Sequence, residues 1–269
     1  MARYKKKRVR ELQHDRFRDT TISIFDRLGT LLEGRGKAIL YGIGAVVLLA
    51  ILVGVWITWS RRKADEARRA LGRGITIVST PVSATPPPDS GSSYVSEQER
   101  AQKAIEEFQK VVTKYGDPYH SEARYFIATN LLYVDREKGI SELTELSKSK
   151  FSDIAILASF ALAQAKEADD KYDEAAQLYS QIGSQNSVII TPDTANLRLA
   201  MVYQKQGKKK EAADVLFQIA DAARKAKDSE GATLPLSAAA REATQELQKL
   251  DPDRFAQLPP EDPAAGLSF

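Results

Sequence analysis

Between Lys37 and Arg61 the chain carries 23 consecutive uncharged residues, Ala38 to Ser60, whereas elsewhere its apolar positions are interleaved with charges. At about 1.5 Å per helical residue this run reaches roughly 35 Å, enough to cross a hydrocarbon core. No polar face interrupts it, which separates it from the core helix of a soluble domain. The 37 residues ahead of it and the Arg61-Arg62-Lys63 behind it do not suit a cleavable leader, whose apolar region is shorter and ends in small residues. The pattern predicts a retained transmembrane helix. Tyr41, Trp56 and Trp59 lie toward its ends, where amphipathic rings favour the headgroup boundary. Ala38, Gly42, Ala50, Gly54 and Thr58 recur every four residues, with Val46 breaking the series, and make Ala50 and Gly54 the expected contact for a transmembrane helix partner.

Ahead of the span, Arg3, Lys5, Lys6, Lys7, Arg8 and Arg10 form a basic cluster, followed by Phe17, Ile24, Phe25, Leu28, Leu31 and Leu32 at near-helical spacing. This predicts an amphipathic, cationic arm suited to anionic lipid, or to topogenic charge on a solvated face. Behind the span, residues 61–79 read as a helix continuing from the membrane. Residues 80–95 contain TPVSATPPPDSGSS, and Pro86 to Pro88 forbid a helix across them. Ser96 with Glu99 has capping-box spacing and opens a strongly helical region.

That region repeats. Thr191-Pro192-Asp193 starts a helix with Leu199, Ala200 and Tyr203 on one face; Gly207 turns the chain, and Ala212, Leu216 and Ile219 form the next face. The preceding segment has Leu162 and Ala163, then Asp170, then Ala175, Tyr179 and Ile182. Before it come Ala128, Leu131 and Asp135, with Ile140 where an alanine is expected and the following anchors displaced to Leu143 and Leu146. Earlier still, Ala104 and Phe108 mark a second helix that ends near Gly116-Asp117-Pro118. Anchors at 104, 140, 175 and 212 recur at the spacing of a helix-turn-helix unit.

These residues resemble the tetratricopeptide repeat (TPR), in which a small residue faces a bulky one where two helices cross. An alanine or glycine there lets the backbones approach, and the side chain four positions on fills the neighbouring gap. The usual early tryptophan is absent, and aspartate replaces the turn glycine in two units. Lys227 to Leu236 reads as a loop. Ser237 to Leu250 reads as a helix, with Ala238, Ala239 and Leu247 free to pack, that caps the last repeat. The predicted organisation is all-α: an arm (1–37), a single transmembrane helix (38–60), a juxtamembrane helix (61–79), a Pro/Ser-rich linker (80–95), a TPR-like helical solenoid with a capping helix (96–250) and a disordered tail (251–269).

This order is similar to the bacterial family of membrane-anchored TPR-like proteins that includes the ancillary subunit of the SecYEG translocon. The flanking charges leave orientation open: residues 1–37 hold 11 Lys/Arg against 5 Asp/Glu, and residues 61–73 hold 6 against 2. The resemblance implies a cytoplasmic N-terminus and a periplasmic repeat domain on the inner membrane, working with translocon subunits or chaperones. Aligned on the TPR small residue, the lining positions of a protein-binding groove fall on Tyr125, Thr129 and Tyr133, on Gln164 and Glu167, and on Met201, Gln204 and Lys205. The same groove would serve a scaffold for cell-envelope or cell-division assembly.

Composition narrows the chemistry. The chain has no cysteine, so it offers no thiolate metal site or cysteine nucleophile, and its two histidines are His14 and His120. Nucleotide, dinucleotide, zinc-protease and EF-hand motifs are absent, so no cofactor and no metal are expected. His120 reads as a solvated turn residue, and the adjacent pairs Glu106-Glu107 and Asp169-Asp170 as surface. An enzyme is not expected; one of unrecognised type would need a polar cleft with convergent titratable groups. The net charge of +3 combines +6 from residues 1–37 and +4 from residues 61–73, leaving −7 on the rest. The repeats are therefore acidic, which argues against nucleic acid as their ligand and assigns the basic character to the flanks of the lipid bilayer span.

Overall fold

The computed structural model describes residues 36–83 and 93–260. The expected amphipathic arm, the prolines Pro86 to Pro88 and the tail beyond 260 lie outside the described residues. Helix α1 runs Gly36–Ser79, and the chain divides into two compact units within it, between Asp65 and Glu66.

In the first unit every large apolar side chain described from Tyr41 to Trp59 is exposed. Water-soluble monomers rarely expose a contiguous apolar surface of this length. The helix is long and apolar enough to cross a membrane. Thr58 donates its hydroxyl to the Gly54 carbonyl at 2.7 Å, which satisfies it within the helix. Lys63 lies over the Trp59 ring, 3.7 Å from its centroid.

The second unit is a helical solenoid. It contains the end of α1 and then α2 (Glu97–Lys114), α3 (Tyr119–Val134), α4 (Arg136–Leu146), α5 (Ser152–Ala168), α6 (Tyr172–Gly183), α7 (Pro192–Lys205), α8 (Lys209–Lys225), α9 (Ala238–Leu250) and α10 (Pro252–Phe255). From α2 onward each helix packs on its successor, and α3 also meets α5, as α7 meets α9. Five helix starts are capped by side chains of the types that favour this position: Ser96, Asp135, Thr191, Ser237 and Asp251 each accept the amide three residues on. The fold is thus all-α, one apolar span followed by a TPR-like solenoid, with only two isolated bridges of β type among the described residues.

The first repeat is more complete than its sequence suggests. Residues 66–79 of α1 pack antiparallel on α2, burying Ala67, Ala70 and Leu71 and placing Gly74 against the ring of Phe108. A Cβ at Gly74 would stand 2.4 Å from that ring, so close approach requires glycine here. Residues 66–79 are therefore the first helix of repeat one. Where the other units have a tight turn, this one carries the 80–96 insertion, closed at its neck by Ser83 N–H to Tyr94 O (2.9 Å) and Tyr94 N–H to Pro81 O (3.3 Å).

A second correction concerns the anchor expected at Ile140. The close approach is made by Gly139, whose added Cβ would meet Leu132 N at 2.9 Å and Ala128 O at 3.0 Å; Ile140 is only half-buried. With Gly139 as the small residue, Leu143 and Leu146 follow at the spacing of Ala175, Tyr179, Ile182 and of Ala212, Leu216, Ile219. All of these are buried.

The two turn aspartates do different work. Asp170 occupies the left-handed region (φ 58), as Gly207 does (φ 74), whereas Asp135 keeps a negative φ (−145) and caps α4. Past the capping helix the chain departs from the expected disordered tail. Asp251 and Pro252 start α10, and Leu258 joins the core formed with Ala220, Ala243 and Leu247. Arg254 pairs with Asp214, and Arg224 binds the Pro259 carbonyl. On α9 it is Ala240, Ala243 and Leu247 that are buried, while Ala238 is exposed.

Candidate peptide groove

The eight residues expected to line a groove lie on α3, α5 and α7, the first helices of three successive units. Four of them share one cavity. Tyr125, Thr129 and Tyr133 of α3 face Gln164 of α5 across a space of about 430 Å³, completed by Leu132, Arg136, Ala161, Ala165 and Ala168. The positions follow from helical period: 125, 129 and 133 fall one turn apart on α3, and 161, 165 and 168 on α5. Alanine at those three α5 positions removes bulk that a leucine would put into the space.

The walls are ordered by local contacts. Tyr125 is half-buried and meets Phe126 edge-on with centroids 5.5 Å apart, and burial raises its phenol above the ordinary range. Thr129 donates to the Phe126 carbonyl at 3.0 Å. Arg136 donates from Nε to Asp169 Oδ1 at 2.7 Å and from Nη2 to the Ala165 carbonyl at 2.8 Å, tying α4 to α5 at the end of the cavity. Tyr133 is 57% exposed, and Gln164 is exposed as well, so an aromatic ring and an amide face solvent beside an apolar floor. The arrangement suits contact with a polypeptide, whose backbone needs amide partners and whose side chains need apolar surface.

The other four residues do not line this cavity. Glu167, only 7% exposed, accepts from Lys205 Nζ at 2.8 Å, from Tyr179 Oη at 3.0 Å and from Arg198 Nη2 at 3.1 Å. Burial by itself would raise its carboxyl; the bonds from Lys205 and Tyr179 and the charges of Arg198 and Lys205 outweigh that and hold it below the ordinary range. Burial also raises the Tyr179 phenol, and the Glu167 charge adds to this against the bond from Arg198. Glu167 and Lys205 thus fasten α5 to α6 and α7. Met201 is half-buried against the core that includes Leu197 and Ala200. Gln204 is half-buried, and its amide nitrogen finds no acceptor among the described residues.

The remaining sequence expectations are placed as follows. Asp169 pairs with Arg136 and Glu107 with Lys110 and Arg73, so neither is bare surface. His120 is not a free turn residue: it is half-buried in the first turn of α3, with Nδ1 3.2 Å from the Val112 carbonyl. Among the described residues no cluster of three or more His, Asp or Glu is arranged to hold a metal ion.

The profile of the tetratricopeptide repeat family matches residues 194–216, from the first turn of α7 to the middle of α8. No curated protein and no solved structure matches the chain.

Proposed function

We propose that this protein is a single-pass membrane scaffold that binds polypeptide segments between α3 and α5, on the outer face of a bacterial inner membrane and in the neighbourhood of the translocon or periplasmic chaperones. The observation that carries the binding role is the cavity walled by Tyr125, Tyr133 and Gln164 over the alanines of α5. The TPR match supports a protein-interaction scaffold, since stacked repeats present extended surfaces to partners. The exposed apolar stretch of α1 supports the anchor. The cytoplasmic N-terminus and the translocon rest on resemblance in segment order.

A photocrosslinking side chain at Tyr133, in the full chain in its own membrane, tests the reading. Adducts with translocon subunits, chaperones or nascent polypeptides are expected. Adducts confined to envelope-synthesis or division proteins would move the scaffold to that machinery, and absence of protein adducts would sink the groove. Orientation is tested separately by protease: the repeats should be digested once the outer compartment is opened, and digestion only after lysis of the inner membrane would reverse the topology.

A further inference from the structure

The opposite side of α3 faces a second cavity, of about 360 Å³, that the groove does not use. At about 3.6 residues per turn, His120, Arg124, Ile127 and Leu131 fall on the side of α3 away from Tyr125, Thr129 and Tyr133. Its floor is apolar, formed by Ile105 and Val112 of α2 with Ile127 and Leu131 of α3. Its size lies within the range of small-ligand sites.

The polar rim has more donors than acceptors. Arg124 uses one nitrogen on Glu142 at 2.8 Å and Glu145 at 3.1 Å, leaving its other N–H groups to the rim. Lys138 is exposed and its ammonium forms no ion pair among the described residues. Gln109 adds an amide. His120 directs Nδ1 at the Val112 carbonyl, which fixes that nitrogen as the donor and leaves Nε2 to the cavity side. The one carboxylate in the lining, Glu142, is already engaged by Arg124. An occupant that completes this set brings acceptor oxygens and negative charge on one side and apolar surface on the other.

We propose that the cavity between α2, α3 and α4 binds a small carboxylate with an apolar body, the carboxylate on Lys138 and Arg124 and the body over Ile105, Val112, Ile127 and Leu131. This site is separate from the polypeptide groove and does not depend on it.

The test uses the full chain in phosphatidylcholine nanodiscs with labelled histidine, titrated with 4-phenylbutyrate and, as uncharged control, 4-phenylbutyramide. The expected result is a saturable shift of the His120 imidazole signals with those of His14 unmoved. The amide should bind about tenfold more weakly, as loss of a charge-assisted hydrogen bond requires. Lys138→Met should weaken the acid by a similar factor without moving the thermal midpoint, because the side chain is exposed and unpaired. Equal affinity for acid and amide, unchanged affinity in Lys138→Met, parallel movement of both histidines, or no saturable shift would each overturn the proposal.

Discussion

Two junctions along the same row of first helices have opposite character. Between α3 and α5 the row is open: tyrosines and an amide stand beside small residues, and Arg136 closes only one end. Between α5 and α7 the equivalent positions are filled by a charge network centred on Glu167, with Lys205 and Arg198 arriving from α7 and Tyr179 from α6. Repeat register places lining positions at both junctions, so register alone does not decide which one is open. What decides is whether the residues there satisfy one another. A carboxylate that is 7% exposed and already holds three donors is closed off from a ligand, whereas Tyr133 is 57% exposed.

The largest expected effect comes from opening the closed junction. Glu167→Ala leaves Arg198, Lys205 and the Tyr179 hydroxyl without their shared acceptor, and removing one partner of a buried ion pair costs about 3 kcal/mol. Arg198 and Lys205 are 35% and 48% exposed, so water recovers part of their solvation and the cost lies at the low end of that class. Urea unfolding of the full chain measures it, and a loss below about 1 kcal/mol would reduce the network to an ordinary surface pair. Acid supplies a second reading of the same contact. Because the folded state holds the Glu167 carboxyl below its unfolded value, its contribution is present above the ordinary carboxylate range, near 4, and is lost as pH falls through the folded value. The Glu167→Ala variant should therefore lose less stability than the native chain on acidification from neutral pH, and an equal loss in both would remove Glu167 from the acid response.

A smaller effect is expected at the crossing that sets the position of α3. Gly139→Ala drives a Cβ into backbone atoms of Leu132 and Ala128, which cannot yield as a side-chain tip would. Overpacking of this kind costs about 2 kcal/mol, against about 1 kcal/mol gained from helix propensity, so a net loss of about 1 kcal/mol is expected. Gly72→Ala supplies the control, because a Cβ there meets nothing within 4 Å and only the propensity gain remains. Thermal unfolding should move the two alanine variants in opposite directions. Movement in the same direction would mean that the α3–α4 crossing tolerates a methyl group and that the open junction is not held by close packing.

Much of the solenoid was legible because its anchors are chemically distinct. Ala104, Ala175 and Ala212 are each followed by a bulky residue four positions on, and all three are fully buried. Gly139 was hidden by its own chemistry, since glycine inside a helix reads as a defect and Ile140 beside it offers an apolar decoy. The first helix of repeat one was hidden by its charges: residues 61–73 read as a membrane flank, and the 80–96 insertion stands where a turn would have linked Gly74 to Phe108. Tyr125, Thr129, Tyr133 and Gln164 line one cavity, as helical period and one interhelix contact are enough to bring them together. The role of Glu167 was not legible, because its partners lie 12, 31 and 38 residues away on two other helices. The cue was still present, in a lysine and an arginine on α7 within reach of a carboxylate that has lost its water.

The finest distinction between the two junctions is drawn by truncating an exposed ring at one and a packed thioether at the other. Tyr133→Ala removes a side chain that is mostly in solvent, so stability should stay within about 0.5 kcal/mol of the native chain. The same ring stands at the edge of the cavity, where an aromatic anchor for a bound segment contributes about 1–2 kcal/mol, and polypeptide capture should fall about tenfold. Met201→Ala should do the reverse. Its side chain packs against the core that includes Leu197 and Ala200, so truncation costs about 2 kcal/mol of folding while leaving capture at the α3–α5 junction unchanged. Capture yield and melting temperature, measured on both variants in the membrane-bound full chain, separate binding from stability in one experiment. If Met201→Ala reduces capture as much as Tyr133→Ala does, the bound segment runs on along α7, and the network at Glu167 lies beneath a continuous groove rather than at its end.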